Sequence, residues 1–157
     1  MPSSMSTASE LQQFVRGRVM IVRWRQPTVE ASRRLSDELE RHFQSEGSKL
    51  FFAALLGVDC PAPSQEVRDA MMVDYQRTWS RCVSSRMVVL GSGMSRALLR
   101  SVLAGMGLAA GLRGKGFAVD GSAPDMADAA ERMVGVSARE LVAHLVEAGL
   151  LSPDEAL

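Results

Sequence analysis

The chain has 157 residues, 46% of them hydrophobic, which is enough to bury the core of one compact domain. Lys and Arg together number 18 and so do Asp and Glu, so the formal net charge is zero and no global positive field favours nucleic acid or an acidic membrane. No apolar run reaches the roughly 18 residues that a membrane-spanning helix needs. We therefore predict a single domain that binds no nucleic acid and has no membrane span.

The beginning of the chain and its cysteines bear on location and cofactors. The first ten residues, MPSSMSTASE, are small and polar, which predicts a disordered tail over residues 1–10. They lack the charged-then-apolar order of a signal peptide. Cys60 and Cys82 have no metal-ligand spacing. These observations predict a reduced, cytoplasmic location and no metal or other cofactor.

The first half of the domain alternates between apolar and amphipathic segments. LQQFV and RVMIVRW, on either side of Gly17, predict an edge strand hairpinned to a second strand. Thr28 is the predicted N-cap of a helix that ends at Gly47. KLFFAALLG predicts a central strand buried on both faces, and Ser64 predicts the cap of the next helix. This order of strands and helices is typical of an α/β domain.

The second half continues the alternation. SRMVVLG predicts a strand that leads through a glycine turn into a helix, and GFAVDG predicts a short last strand. Ser122 with Asp125, and Ser137 with Glu140, are capping-box signatures for two final helices. The apolar face of the last helix either packs on the domain or offers a partner surface. The inward residues predicted for the helix after the glycine turn are Leu98, Leu99, Val102, Leu103 and Met106.

Strands that alternate with helices through short loops predict right-handed crossovers and a largely parallel sheet. The predicted fold class is α/β, with four to five strands in a mostly parallel sheet that the first hairpin makes mixed. The order of hairpin, helix, apolar strand, helix, strand, glycine turn, helix, short strand and closing helix resembles the STAS, or SpoIIAA-like, fold of anti-sigma-factor antagonists over residues 11–135. We predict that residues 136–157 form a C-terminal helix and tail packed on this domain.

The resemblance to the STAS family implies a regulatory domain that acts by protein–protein interaction. Kinase-switched members of that family carry an Asp-Ser pair at the start of the helix after the central strand. Here the region reads GVDCPAPSQEVR, in which Asp59 is followed by Cys60 and the nearest serine is Ser64. The missing pair favours a divergent member without the switch. A phosphate on Ser64 would meet free amides at a helix N-terminus, although the sequence favours a capping role for this serine.

The glycine turn, GSGMSR, has two interpretations. It matches the first two glycines of G-x-G-x-x-G but has Arg96 at the third, and no Walker lysine follows. The βαβ unit around it ends on Asp120, as a ribose-binding site would. Alternatively the glycines supply special backbone angles and a serine of the turn, Ser92 or Ser95, caps the helix. The residues of the alternative phosphate site are Gly91, Ser92, Gly93, Ser95 and Arg96.

Catalytic chemistry has little support in the sequence. His42 and His144 lie near no serine or cysteine in a familiar motif. Cys60 has no visible base, although the following helix N-terminus would lower its pKa. We therefore predict no catalytic residue and no enzymatic activity.

The distribution of basic residues favours a docking surface at strand ends. Between Asp74 and Asp120 the chain has seven basic residues and no acidic one. We therefore predict a non-enzymatic module that docks a signalling protein, or a second copy as a homodimer, through loops at strand ends. The alternative is a nucleotide- or phosphate-binding α/β protein, enzymes included, that uses the Gly91–Arg96 turn. The predicted partner-binding residues are Asp59, Cys60, Ser64, Arg96 and Arg100.

Overall fold

The structure is a computed structural model that describes residues 10–157. The predicted disordered tail over residues 1–10 therefore lies outside the described residues, apart from Glu10. The backbone oxygen of Glu10 accepts hydrogen bonds from the amides of Arg25 at 2.8 Å and Gln26 at 3.1 Å. Glu10 thus belongs to the folded domain.

Strands and helices alternate along the described residues, as an α/β domain requires. A single 3-10 turn, Trp79–Arg81, precedes the fourth strand. The elements in chain order are β1 (Leu11–Arg16), β2 (Val19–Trp24), α1 (Val29–Glu46), β3 (Leu50–Leu56), α2 (Gln65–Thr78), β4 (Cys82–Val89), α3 (Met94–Ala109), β5 (Phe117–Asp120), α4 (Ala123–Val134) and α5 (Ala138–Glu147).

The five strands form one mixed sheet in the order β1-β2-β3-β4-β5. β1 runs antiparallel to β2, as the predicted hairpin requires, and the other neighbours are parallel. Because strand order equals chain order, α1, α2 and α3 each cross to the next strand and share one face of the sheet. The α/β class and the mostly parallel sheet predicted from the sequence are confirmed.

Each face of the sheet has its own core, because successive side chains of a strand point to opposite faces. Trp24 and Phe52 pack with Leu103 and the other inward residues of α1, α2 and α3. Phe51, next to Phe52 in the chain, packs with Leu145 and the inward residues of α4 and α5 on the other face. The last helix therefore packs on the domain through the apolar face predicted for it.

Side-chain caps begin four of the five helices. The hydroxyl of Thr28 accepts from the Ala31 amide at 3.1 Å, and Ser64, Ser122 and Ser137 make the equivalent bonds in α2, α4 and α5. These caps are the ones predicted, because each involves residues only three positions apart. Within residues 10–157, none of the helices combines the length and the apolar composition needed to cross a bilayer.

The orientation of α3 differs from the prediction. Leu99 and Leu103 are buried, but Leu98 is 64% exposed and points away from the core. Residues that follow each other in a helix are about 100° apart, so a helix with apolar residues all round does not reveal which stripe faces the sheet. The predicted inward position of Leu98 was wrong.

Candidate functional site

The candidate site is the edge of the sheet where the parallel strands end, here called the carboxyl edge. β2, β3, β4 and β5 all finish at this edge because they run in the same direction. Ligands of open α/β sheets collect at such an edge. The connections that form it are residues 25–28, 57–64, 90–93 and 121–122.

Arg23, near the end of β2, is the centre of a buried ion network. Its side chain is 5% exposed and donates to Glu155 at 2.7 Å, to Asp59 at 2.9 Å and to the Leu150 carbonyl oxygen at 2.9 Å. Arg25 donates to the second oxygen of Asp59 at 3.0 Å. The network therefore fastens the C-terminal tail and the loop after β3 to the end of β2.

The pKa values within this network favour the charged forms. Burial opposes ionisation of Asp59, but the hydrogen bond and charge of Arg23 outweigh it and hold the pKa below its ordinary value. Burial likewise opposes ionisation of Glu155, and Arg23 again keeps that pKa low. Burial disfavours the charged guanidinium of Arg23, yet its bonds to the two carboxylates raise its pKa. With Arg25 included, two positive and two negative groups neutralise each other.

Arg96 and Arg100, on the first two turns of α3, bind backbone instead of carboxylates. Arg96 donates to the carbonyl oxygens of Leu90 at 2.8 Å and Leu56 at 2.6 Å, which joins the ends of β4 and β3. Arg100 donates to Val89 at 2.8 Å and also to the carbonyl of Gly91. No carboxylate of the described residues forms an ion pair with either guanidinium.

The charges of Arg96 and Arg100 therefore remain without a neutralising partner in this part of the chain. Partial burial, followed by the neighbouring charge of Arg100, lowers the pKa of Arg96. Both side chains are half-buried, so part of each guanidinium still faces solvent. By contrast, Arg77 and Arg81 in the same basic stretch of the sequence pair with Asp37 and Glu40 of α1.

The glycine turn has the backbone geometry that the sequence predicted. Gly91 has φ 91° and Gly93 has φ 101°, which is the region that favours glycine. A Cβ on Gly91 would lie 2.5 Å from Cγ1 of Val58, whereas one on Gly93 would meet nothing within 4 Å. The turn is therefore packed against the loop after β3 on one side and open on the other.

The predicted cap of α3 is wrong. Gly93 is the N-cap, and in the part of the chain that the structure describes no side chain caps the first turn. Ser92 lies before the cap position and Ser95 lies inside the first turn, so neither hydroxyl occupies the position from which a cap bonds. The first amides of α3 therefore have no side-chain partner.

The structure also contradicts the interpretation of Asp120 as a ribose ligand. Asp120 binds Arg86 through both oxygens, at 2.7 and 3.0 Å, and its side chain is only 10% exposed. A carboxylate held in this way has little capacity left for a sugar hydroxyl. Around the turn, Ser92 and Ser95 are exposed while Arg96 is committed to strand ends.

Cys60 and Ser64 have structural roles in the loop before α2. Cys60 is 5% exposed, and burial, followed by the charge of Asp59, raises the pKa of its thiol to about 11. The prediction that the helix N-terminus lowers this pKa was wrong, because desolvation dominates. Ser64 accepts from the Val67 amide at 3.3 Å. Cys60 therefore packs in the core beneath the loop, and Ser64 caps α2.

Three residues of the carboxyl edge, Val58, Met94 and Arg23, were not predicted from the sequence. Val58 is 68% exposed and Met94 is 87% exposed, and they flank the glycine turn. Nothing in the sequence distinguishes these apolar residues from core residues. Arg23 did have a signal, since it is the one charge within the apolar strand VMIVRW. A charged residue inside such a strand indicates a buried ion pair.

The comparisons with known proteins found no similar protein. The chain matches no family model, and it matches neither a curated protein nor a solved structure. The fold and the edge define an α/β domain with a half-buried arginine pair, flanked by exposed apolar side chains, at the ends of its parallel strands.

Proposed function

We propose that this protein is a non-enzymatic regulatory module of STAS-like type that docks an acidic, partly apolar segment of a partner protein at its carboxyl edge. The observation on which the proposal rests is the pair Arg96 and Arg100, which has no carboxylate partner within residues 10–157, beside the exposed side chains of Val58 and Met94. Arginine and large apolar side chains are the groups enriched in protein–protein interfaces.

The electrostatics of the edge favour a negatively charged partner. Two guanidinium charges lie in the first two turns of α3, where the positive end of the helix dipole adds to their field. The neutral Arg23 network next to them contributes no opposing net charge. An acidic segment would therefore be steered to the glycine turn, and an apolar residue in the segment would cover Val58 or Met94.

Two observations favour binding over catalysis at this edge. The buried thiol of Cys60, with its pKa raised to about 11, is not an activated nucleophile. Arg96 and Arg100 are engaged with main-chain oxygens, which keeps them fixed as a charged surface. A fixed surface loses little side-chain entropy when a partner binds.

The alternative function, binding of a phosphate-bearing ligand at the Gly91–Arg96 turn, is favoured by one specific feature. The first amides of α3 have no side-chain cap, and free amides at a helix start can bind an oxyanion. The bonds of Arg96 to strand-end carbonyls argue against this alternative, because a bound phosphate needs direct hydrogen bonds from the guanidinium. Docking of a peptide relies instead on the positive field and on apolar contacts with Val58 and Met94.

The test is an NMR titration of the isotope-labelled chain with two defined probes. The first is an acidic peptide pool that contains Leu and Phe, with a charge-reversed pool as its control, and the second is inorganic phosphate or ATP. We expect the acidic pool to shift signals at Val58 and residues 91–100, and its affinity to fall about tenfold in high salt.

Matched variants separate the two functions. Met94→Asp should abolish peptide binding, whereas Val73→Asp, at a position that is 61% exposed on α2, should leave it unchanged. A phosphate or ATP shift at residues 93–96 that persists in Met94→Asp and disappears in Gly93→Val would establish the alternative. Absence of peptide binding, or equal binding of the charge-reversed pool, would overturn the proposed function.

A further inference from the structure

The outer face of α3 has an unusual composition for a helix on a protein surface. Arg96 and Arg100 are the only charged residues of α3, and both turn toward the strand ends. Leu98 is 64% exposed and Leu108 is 58% exposed. The uncharged outer stripe, here called the α3 ridge, consists of Ala97, Leu98, Ser101, Ala104, Gly105 and Leu108.

The other long helix on the same face of the sheet does not share this composition. α1 alternates acidic and basic residues on its exposed positions, among them Glu30, Arg33 and Asp37. That pattern is typical of a helix face that stays in water. The α3 ridge lacks these charges over its whole length, which favours a face that another surface covers.

A concave surface lies on each side of the α3 ridge. An open groove of about 520 Å³ separates α3 from α2, with Met72, Val102 and Met106 among its apolar lining. On the other side, a cleft of about 240 Å³ lies between α3 and β5 and includes Leu112 and Phe117. The molecule therefore presents a convex apolar element beside concave surfaces whose linings are mostly apolar, with Arg68 and Asp69 among the polar residues of the groove.

We propose that the α3 ridge is a self-association surface, through which two copies of this chain pair about a two-fold axis. In such a pair the ridge of each copy lies in the α2–α3 groove of the other, as ridges pack into grooves between helices. A two-fold axis brings like against like, so only an uncharged surface avoids repulsion between equal charges at its centre. The α3 helices of the two copies can approach closely because the ridge contains the small residues Ala97, Ser101 and Gly105.

The dimensions fit a reversible dimer. α3 has 16 residues and is therefore about 24 Å long. With the α2 wall on one side and β5 on the other, the surface is roughly 25 Å wide, because neighbouring helices and sheets pack about 10 Å apart. A footprint of about 600 Å² per copy lies at the lower end of specific interfaces, which is the size typical of weak or transient complexes.

A second copy fits this surface better than other occupants. A charged partner would find no charge of opposite sign on the α3 ridge, since its stripe has none. An anionic lipid surface would meet Asp69 as well as Arg68 on the wall of the groove, and these opposite charges give it no net attraction. This inference does not rest on the docking function, because Gly105 and Leu108, which test it, lie outside the residues that the acidic peptide is expected to contact.

The experiment is sedimentation equilibrium of the full chain from about 1 µM to about 1 mM, the range in which an interface of this size dissociates. We expect a monomer–dimer equilibrium that Leu108→Glu weakens at least tenfold. The matched control is Met133→Glu on α4, where another apolar residue is 41% exposed, and this variant should dimerise like the original chain. Circular dichroism of each variant checks that it is folded.

A second measurement locates the interface without a disruptive charge. Gly105→Cys should form a disulfide-linked dimer under mild oxidation, because a residue near the two-fold axis meets its own copy. The two native cysteines are buried and provide the background control in the unmodified chain. A chain that stays monomeric at the highest concentration would overturn the proposal, as would a dimer that Leu108→Glu leaves intact. Binding of the monomer to phosphatidylcholine–phosphatidylserine vesicles, lost in Leu108→Glu, would assign the ridge to a lipid surface instead.

Discussion

Two regions of the carboxyl edge use arginine in opposite ways. On the β2 side, Arg23 binds the carboxylates of Asp59 and Glu155, so its charge is neutralised inside the fold. On the α3 side, Arg96 and Arg100 bind main-chain oxygens, which accept hydrogen bonds without cancelling a full charge. The difference indicates that the first arrangement holds the structure together, whereas the second also leaves a positive field at the surface.

The largest expected effect is on the unfolding free energy, when Arg23 and Arg100 are each replaced by methionine. Arg23→Met leaves the carboxylates of Asp59 and Glu155 without their buried partner, which should cost about 3 kcal/mol of unfolding free energy. Arg100→Met should cost only about 1 kcal/mol, because water can satisfy the freed carbonyl oxygens. Urea denaturation followed by circular dichroism measures both. Equal losses would show that the two regions do not differ in this way.

The two glycines of the turn provide the next contrast. Alanine at either position must adopt a positive φ, which costs about 1 to 3 kcal/mol. At Gly91 its Cβ would also lie 2.5 Å from Val58, which adds about 1 kcal/mol or more. Thermal or urea unfolding of Gly91→Ala and Gly93→Ala gives the difference. Adding Val58→Ala to Gly91→Ala should recover the steric part. If it recovers nothing, the loop after β3 does not pack on the turn as described.

Acid should remove the contribution of the Arg23 network. The pKa of Glu155 is lower in the folded chain than its ordinary value of 4.5, so its stabilising effect is present above that value and is lost as the pH falls through the folded pKa. Glu155→Gln should therefore cost about 1 to 2 kcal/mol at neutral pH and much less near pH 3. Urea denaturation of both chains at the two pH values tests this. A cost that does not change with pH would mean that Glu155 acts through packing alone.

The smallest effect is expected at Asp59, whose side chain is 56% exposed. Asp59→Asn should cost less than about 1 kcal/mol, because solvent screens an exposed pair and Arg23 keeps Glu155. The same variant removes a negative charge from the carboxyl edge and should strengthen binding of the acidic peptide pool about twofold. Weaker binding would mean that Asp59 itself contacts the partner.

Features that depend on neighbouring residues were predictable. The caps at Thr28, Ser64, Ser122 and Ser137 follow from bonds between residues three positions apart. The continuous apolar run of β3 indicated a strand covered on both faces, and all seven of its residues are buried. The positive φ values of Gly91 and Gly93 likewise follow from the turn chemistry of glycine.

One error, the cap of α3, is local, because Gly93 takes the N-cap position between Ser92 and Ser95. The other errors concern contacts between distant parts of the chain. Asp120 was a ribose candidate until Arg86, 34 residues earlier, was found to bind it through two hydrogen bonds. Cys60 looked activated by the next helix, but the loop buries it and desolvation controls its pKa. Leu98 looked inward because α3 is apolar on several sides, and only the position of the sheet decides which stripe is covered.

The sequence by itself determined the alternation of strands and helices, the α/β class and most helix starts, because hydrophobic period and capping act over a few residues. The tertiary structure alone decided which group each arginine binds. The alignment of strand ends sets whether a guanidinium reaches a carboxylate, as Arg23 does, or a carbonyl oxygen, as Arg96 does. That choice distinguishes a neutral internal network from a charged surface.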